Sequence, residues 1–360
     1  MPDSLGSDHD VLLLDLDGTL YTGATAVPHA AESLRSLADE VGGNRSPRLL
    51  YVTNNASRAP TDVAAHLVGF GFTVDAGDVV TSAQAAARLI ASRLPAGSRV
   101  LVVGTEALAE HVAQAGLVPV RDASAQPAAV VQGHSPHTDW HILAEAALAI
   151  RGGALWVAAN RDTTLPSDRG LLPGNGAMVA ALEAATSASP LVAGKPEKAI
   201  FHDALARGSF RCPLVVGDRL DTDIAGAQAL GLPSLYVGTG VSQPLDVLAA
   251  PPGSRPDHLG AALRALLEPA STTRAGAAAP IAASSADGAT LIITASAARI
   301  DPIVALRAIA PTAWEFLDRV GGPVTVRPEG PAAESVVRQW TARARSSACG
   351  RISASVSGDE

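Results

Sequence analysis

The sequence predicts an α/β protein. Its centre is a doubly wound, Rossmann-like parallel sheet, with a second, inserted α/β domain and a small α+β domain at the C-terminal end. Three observations carry this. Short β-branched or leucine-rich runs alternate with alanine-rich helical stretches, as in parallel strands joined by crossover helices. Several runs, such as Val11-Leu12-Leu13-Leu14, are apolar throughout, as expected of strands covered on both faces. The length of 360 residues exceeds one ordinary domain and fits two or three.

In chain order, strands are expected over 11–15, 48–53, 99–103, 128–132, 154–158, 190–193, 213–217 and 234–237. Helices fill the intervals, over 28–40, 60–69, 82–93, 105–115, 137–151, 174–187, 196–207 and 222–230. Pro28 and Pro60 stand where a first helical turn tolerates proline, and Gly71, Gly116 and Gly231 where a helix end favours glycine. Residues 269–289 are small, proline-containing and aperiodic, and read as a linker. Beyond it come a strand-like run over 290–294, an amphipathic helix over 302–320 and an arginine-dotted tail. Residues 290–360 are therefore expected to form a separate module, with Trp314 and Trp340 in its core.

Composition excludes several classes. The net charge of −8 argues against nucleic acid or an anionic membrane surface as partner. No apolar run approaches the roughly 20 residues needed to cross a bilayer, and the acidic N-terminus lacks the basic-then-apolar order of a signal peptide. Cys212 and Cys349 are too few for a disulfide scaffold or a cysteine-rich metal site, which suits a reducing compartment, the cytoplasm. With aromatics at 3 %, the core must be built from Ala, Val and Leu. Lys195 and Lys198 are the only lysines among 27 basic residues, which draws attention to both.

Four clusters carry chemistry, each at the C-terminal end of an expected strand, where open α/β sheets bind ligands. Asp15 and Asp17, two apart on an extended chain, face the same way, and two carboxylates together need a cation or protons. Thr53, with the backbone N–H of Asn54, offers donors to anionic oxygens at the mouth of a crossover. Lys195 places a compact ammonium between a strand end and a proline; Lys198 reads as solvated. Asp218, Asp221 and Asp223 put three acids after another buried strand, a sparse oxygen set suited to Mg²⁺. Of these neighbours, Asp221 or Thr222 is placed to cap the following helix.

Together and in this order, the four clusters resemble the motifs of the haloacid-dehalogenase superfamily of phosphohydrolases. About 140 residues separate Thr53 from Lys195, more than a crossover needs, so a whole domain is inserted there. That insertion resembles the superfamily's C2-type cap. Gly104–Leu108, Asn160-Arg161-Asp162, Pro173–Gly176 and Gly217–Ile224 are similar to the p-nitrophenyl-, phosphoglycolate- and glycerol-phosphate phosphatases, over about residues 8–265. Where that subgroup often carries an acid after the cap glycine, this chain reads Gly133-His134-Ser135-Pro136-His137. The domains expected are a catalytic core of 1–78 and 190–268, a cap of 79–189, the linker and the C-terminal module.

The resemblance implies a Mg²⁺-dependent phosphomonoester hydrolase working through an aspartyl-phosphate. Asp15 would be the nucleophile and Asp17 the general acid and base; Asp15, the Asp17 carbonyl and Asp218 would hold the metal, with Asp223 orienting that site. Thr53, Asn54 and Lys195 would bind the phosphate. His134, Asn160 and Arg161 of the cap are candidates for reading the leaving group, the alternative for Arg161 being a pair with Asp162. The expected partner is a small phosphorylated metabolite, glycerol 3-phosphate being favoured by resemblance alone. Phosphoglycolate, pyridoxal phosphate and nucleotides stay open, as do a phosphomutase and a non-catalytic phospho-ligand sensor. For the C-terminal module a packing or dimerisation role, hence a homo-oligomer, is preferred. An acetyl-coenzyme A role is disfavoured, because 290–360 has no pyrophosphate loop.

Overall fold

The computed structural model describes residues 4–41, 46–167, 169–287, 290–322, 324–343 and 352–354. Cys349 and part of the arginine-dotted tail, residues 344–351 and 355–360, lie outside the described residues. The chain divides into two compact units, one of Met1–Thr22, Ala26–Leu49 and Phe210–Glu360, the other of Gly23–Thr25 and Leu50–Ser209. Every strand expected from the sequence is present, with its ends within one residue of the expected place. Continuous apolar runs bounded by polar residues leave little freedom in where such strands begin and stop.

In the first unit, four parallel strands run side by side in the order His258–Gly260, Ser234–Val237, Pro213–Gly217, Val11–Leu14. Val11 lies opposite Pro213 and Leu14 opposite Val216, so two motif-bearing strand ends finish level with each other. All residues of Val11–Leu14 and Ser234–Val237 are buried, in keeping with strands covered on both faces. The first strand stops at Leu14, one residue short of the expected Asp15.

The C-terminal region departs from expectation. The supposed linker contains a short helix, Ala270–Thr273, and a seven-residue strand, Ile281–Asp287. Its Ala- and Ser-rich composition hid the strand, which is held by antiparallel pairing to Thr290–Ala295. Two further strands, Val324–Glu329 and Ile352–Ala354, extend this sheet in parallel. The helix Pro302–Val320 is where the sequence placed it, and Trp314 and Trp340 are buried as expected. This region is not a separate module, because its hydrophobic core is continuous with that of the preceding strands. One cluster joins Leu220, Tyr236 and Val247 to Leu291, Ile309 and Trp340. Trp314 Nε1 donates to the Val247 carbonyl at 2.8 Å, and Arg255 forks onto Asp318 at 2.6 and 2.8 Å. Arg307, also buried, donates to the Leu259 carbonyl at 2.6 Å and to Glu268 at 2.8 Å.

The second unit holds a five-stranded parallel sheet in the order Leu191–Val192, Leu155–Ala158, Ala129–Gln132, Arg99–Val103, Val118–Val120. Helices such as Ser82–Ala91 and Trp140–Arg151 pack on it. Both expected cap boundaries need correction. Leu191–Val192 pairs with Leu155–Ala158 and so continues the cap sheet instead of opening the returning core. Val79–Thr81, at the expected start of the cap, pairs with Tyr51–Thr53 instead. Three-residue strands carry no periodicity from which to read them.

Candidate active site

The first unit gathers carboxylates where its strands end. Asp15 follows Val11–Leu14 directly, and its backbone N–H donates to the Val216 carbonyl at 2.9 Å, which fixes it beside the Pro213–Gly217 strand. Asp218 follows Gly217 and is fully buried; Asp223 is 1 % exposed, whereas Asp15 is half-buried and Asp17 exposed. One carboxylate oxygen each from Asp15, Asp218 and Asp223 lies within 4.8 Å of the others. Like charges so close, stripped of water, are tolerable only with compensation by protons, donors or a cation. The donors are all oxygens, and the set fits a hard divalent ion such as Mg²⁺. Asp223, expected only to orient the site, has its carboxylate in this cluster, and its Oδ2 also accepts the Arg219 N–H at 3.1 Å.

The local chain explains this convergence. Residues Leu220–Ile224 form one wide π-type turn, closed by the Ile224 N–H to the Arg219 carbonyl at 3.2 Å. That turn brings Asp223 back toward Gly217, where any side chain would collide with the Asp223 carboxylate. The expected cap assignment is corrected here: Asp221 is bound in a fork by Arg219, at 2.7 and 3.0 Å.

A loop absent from the sequence reading braces the aspartates. Val241 donates its N–H to Asp218 Oδ2 at 2.6 Å, and Thr239 Oγ1 donates to the Gly18 carbonyl at 2.6 Å. Ser242 Oγ accepts the Leu220 N–H at 3.1 Å, while the Ser242 carbonyl accepts from Tyr236 Oη at 2.5 Å. The only sequence signal was Gly238-Thr239-Gly240 after a buried strand. Gly18, at φ +93°, turns the chain after Asp17; a Cβ there would stand 2.5 Å from Asp218 Oδ2.

The second unit gathers the residues expected to hold an anion. Thr53 ends the Arg48–Thr53 strand and is buried, and its Oγ1 accepts the Asn55 N–H at 3.1 Å. Asn55 Oδ1 accepts the Ser57 and Arg58 N–H groups at 2.9 and 3.1 Å, an Asx turn. Lys195 is 5 % exposed, and its Nζ donates to the Val52 carbonyl at 3.2 Å, on the strand that leads to Thr53. A buried ammonium bonded to the Arg48–Thr53 strand and a buried hydroxyl at the end of that strand are groups suited to an anion. Lys198, by contrast, is exposed, as expected.

The three cap candidates separate. Asn160 is 4 % exposed and its amide is occupied: Nδ2 donates to the Asn54 carbonyl at 2.7 Å, and Oδ1 accepts the Asp162 N–H at 3.2 Å. Both of these contacts are with the chain itself. Arg161 pairs with Glu183 at 2.8 Å, not with Asp162, whose Oδ2 accepts from Asn54 Nδ2 at 3.3 Å. His134 sits half-buried after the strand Ala129–Gln132, and burial lowers its pKa from the ordinary histidine value. Ser82, which the sequence reading did not single out, is fully buried and donates its hydroxyl to the Asn54 carbonyl at 2.6 Å.

Comparison with known proteins agrees with this arrangement. Residues 12–118 match the family described as haloacid dehalogenase-like hydrolase, and residues 192–266 match the HAD-hydrolase-like family. A D-glycerol 3-phosphate phosphatase of Mycobacterium tuberculosis is 57 % identical over 263 residues, 73 % of this chain and 72 % of that protein. The crystal structure of glycerol phosphate phosphatase from Mycobacterium tuberculosis in complex with magnesium superposes with a TM-score of 0.88 at 48 % identity. That superposition covers 95 % of this chain and 99 % of the other, so it extends into the C-terminal sheet. A p-nitrophenyl phosphatase from Archaeoglobus fulgidus gives a TM-score of 0.65 at 27 % identity, covering 74 % of this chain and 99 % of that one. The ordered motifs, the parallel sheets flanked by helices and these relatives agree, and the chain belongs to the haloacid dehalogenase-like hydrolases.

Proposed function

We propose that this chain is a Mg²⁺-dependent phosphomonoesterase of small metabolites, with glycerol 3-phosphate its favoured substrate. The observation that carries the reading is the carboxylate cluster of half-buried Asp15 with buried Asp218 and Asp223. The choice of glycerol 3-phosphate is supported by the printed activity of the relative that is 57 % identical. A cytoplasmic location is part of this proposal; separately, among the described residues no helix is long and apolar enough to cross a membrane.

Asp15, Asp218 and the Asp17 carbonyl would hold Mg²⁺, with Asp223 beside them. When bound, the ion supplies positive charge that offsets the repulsion between an anionic nucleophile and an anionic ester. A carboxylate oxygen of Asp15 attacks phosphorus, forming a P–O bond as the bond from phosphorus to the ester oxygen breaks. Asp17, in its acid form, donates its proton to the departing alkoxide. As a carboxylate it then takes a proton from water, whose oxygen attacks the phosphorus of the aspartyl-phosphate and releases inorganic phosphate and free Asp15. The Thr53 hydroxyl, the Asn54 N–H and the Lys195 ammonium hold the non-bridging oxygens, where charge gathers in the transition state.

His134 is the cap residue best suited to read the leaving group. Its lowered pKa keeps the imidazole neutral at pH 7, with one nitrogen donating and the other accepting, which matches a polyol hydroxyl.

The test is phosphate release from a panel of esters: glycerol 3-phosphate, phosphoglycolate, pyridoxal phosphate, nucleotides and a hexose phosphate, with Mg²⁺ and with chelator. Highest kcat/KM for glycerol 3-phosphate, abolished reversibly by chelation, is expected. Activity indifferent to chelation, or no release from any ester, refutes the reading.

A further inference from the structure

We infer that Asn160 and Ser82 are positioning residues that aim the Thr53 hydroxyl at the substrate phosphate, acting through the peptide unit between Asn54 and Asn55. The inference rests on the phosphatase reading above and adds to it two residues with no assigned role.

Each end of that peptide unit is held. Its carbonyl accepts two hydrogen bonds, from Ser82 Oγ at 2.6 Å and from Asn160 Nδ2 at 2.7 Å. Its N–H donates to Thr53 Oγ1 at 3.1 Å. A hydroxyl has one proton to give and two lone pairs to receive. With one lone pair engaged by the Asn55 N–H, the Thr53 proton is directed away from the backbone and remains a donor for an anionic oxygen. A peptide whose acceptor end is doubly bonded is also polarised, which strengthens its N–H as a donor.

Both holders are themselves fixed. Ser82 opens the helix Ser82–Ala91, which is capped by Thr81 and Gln84 in reciprocal hydrogen bonds. It is fully buried. Asn160, two residues past the strand Leu155–Ala158, is anchored by its carbonyl, which accepts from Asn175 Nδ2 at 2.8 Å, and by its Oδ1, which accepts the Asp162 N–H. The arrangement uses a buried amide and a buried hydroxyl on one carbonyl, more than is needed to satisfy a single buried acceptor. Neither residue needs to touch the substrate for its loss to be felt there.

The experiment measures inhibition by inorganic phosphate, and the Mg²⁺ concentration for half-activation, in wild type, Asn160→Ala, Ser82→Ala, Thr53→Ala and the two double variants with Thr53→Ala. Far-UV circular dichroism and the melting temperature establish which variants are folded. Loss of one neutral hydrogen bond is expected to raise the phosphate inhibition constant about tenfold in each single variant. Because both act through Thr53, the same changes should cost no more than about twofold in the Thr53→Ala background. The Mg²⁺ midpoint should stay where it is. An unchanged inhibition constant in the single variants overturns the inference. Equal losses in both backgrounds, or a Mg²⁺ midpoint that moves in step with phosphate, overturn it as well. If Asn160→Ala does not fold, the Ser82→Ala pair decides alone. Wild-type enzyme that releases phosphate from no ester is a failure of the phosphatase reading, a different outcome.

Discussion

The side-chain amide of Asn54 pairs with the backbone of Lys195 as one peptide pairs with another. Asn54 Oδ1 accepts the Lys195 N–H at 2.8 Å, and Asn54 Nδ2 donates to the Lys195 carbonyl at 3.1 Å. Residues 141 positions apart in the chain are thereby held at one place, and the segment bearing the buried ammonium is registered against the strand that ends at Thr53. Gly194 is required beside this pair, since a Cβ there would lie 2.5 Å from Asn54 Oδ1.

Asn54→Ala removes both bonds and leaves two buried backbone groups of Lys195 without them. Each lost bond is worth about 0.5–1.5 kcal/mol, so kcat/KM should fall about 10- to 100-fold. Asn54→Asp keeps an acceptor for the Lys195 N–H but sets a carboxylate against Asp162 and the Lys195 carbonyl, so it should fall at least as far as alanine. Steady-state kinetics on the three proteins checks the order.

Gly18→Ala tests the packing behind the carboxylate cluster. The position has φ +93° and would set a methyl group 2.5 Å from Asp218 Oδ2. The Asp218 carboxylate must then move, so the Mg²⁺ concentration for half-activation should rise at least about tenfold, by the loss of roughly 1.4 kcal/mol or more of metal binding. Titration of activity with Mg²⁺ measures it, and an unchanged midpoint would contradict the packing argument.

Arg307→Met tests the bond between the C-terminal region and the preceding strands. The guanidinium is 4 % exposed and held by the Leu259 carbonyl and Glu268, so removal leaves a buried acceptor and half of an ion pair. A loss of about 2–4 kcal/mol in unfolding free energy is expected, with kcat unchanged. Denaturant titration alongside phosphate release separates the two effects.

Stability should fall on mild acidification. Burial lowers the pKa values of His9, His111, His134 and His258. In the unfolded chain these imidazoles protonate near pH 6.5, the ordinary histidine value, but in the folded protein only at lower pH. Their contribution is complete above the unfolded value and is lost as pH falls through it toward the folded values. The melting temperature should therefore drop between about pH 7 and pH 5, before the carboxylates titrate. A flat profile over that range would show that these rings are not held neutral by the fold.

What the sequence disclosed and what it hid follow one physical rule. Strands such as Arg48–Thr53 and Pro213–Gly217 were legible because a long apolar run has one way to be buried. The positions of Asp15, Thr53, Lys195 and Asp218 at or just past strand ends were legible because each lies at the close of such a run. Ile281–Asp287 was hidden because Ala and Ser suit a strand and a linker alike, and pairing with Thr290–Ala295 decided between them. The hold of Ser82 and Asn160 on the Asn54 carbonyl was hidden for a related reason. Hydrogen bonds between residues 28 and 106 positions apart leave no trace in local pattern. The alternative of an Arg161–Asp162 pair failed because Glu183, the partner of Arg161, lies on a later helix, while the adjacent Asp162 turned to Asn54.

The central claim is that Asp15 attacks phosphorus. Turnover of glycerol 3-phosphate by Asp15→Asn, with Mg²⁺ saturating and folding verified by circular dichroism, tests it most directly. The neutral, isosteric amide is a poor nucleophile, so kcat should fall by at least about a thousandfold while the folded structure is retained. A variant that keeps its rate within tenfold of wild type would contradict the account.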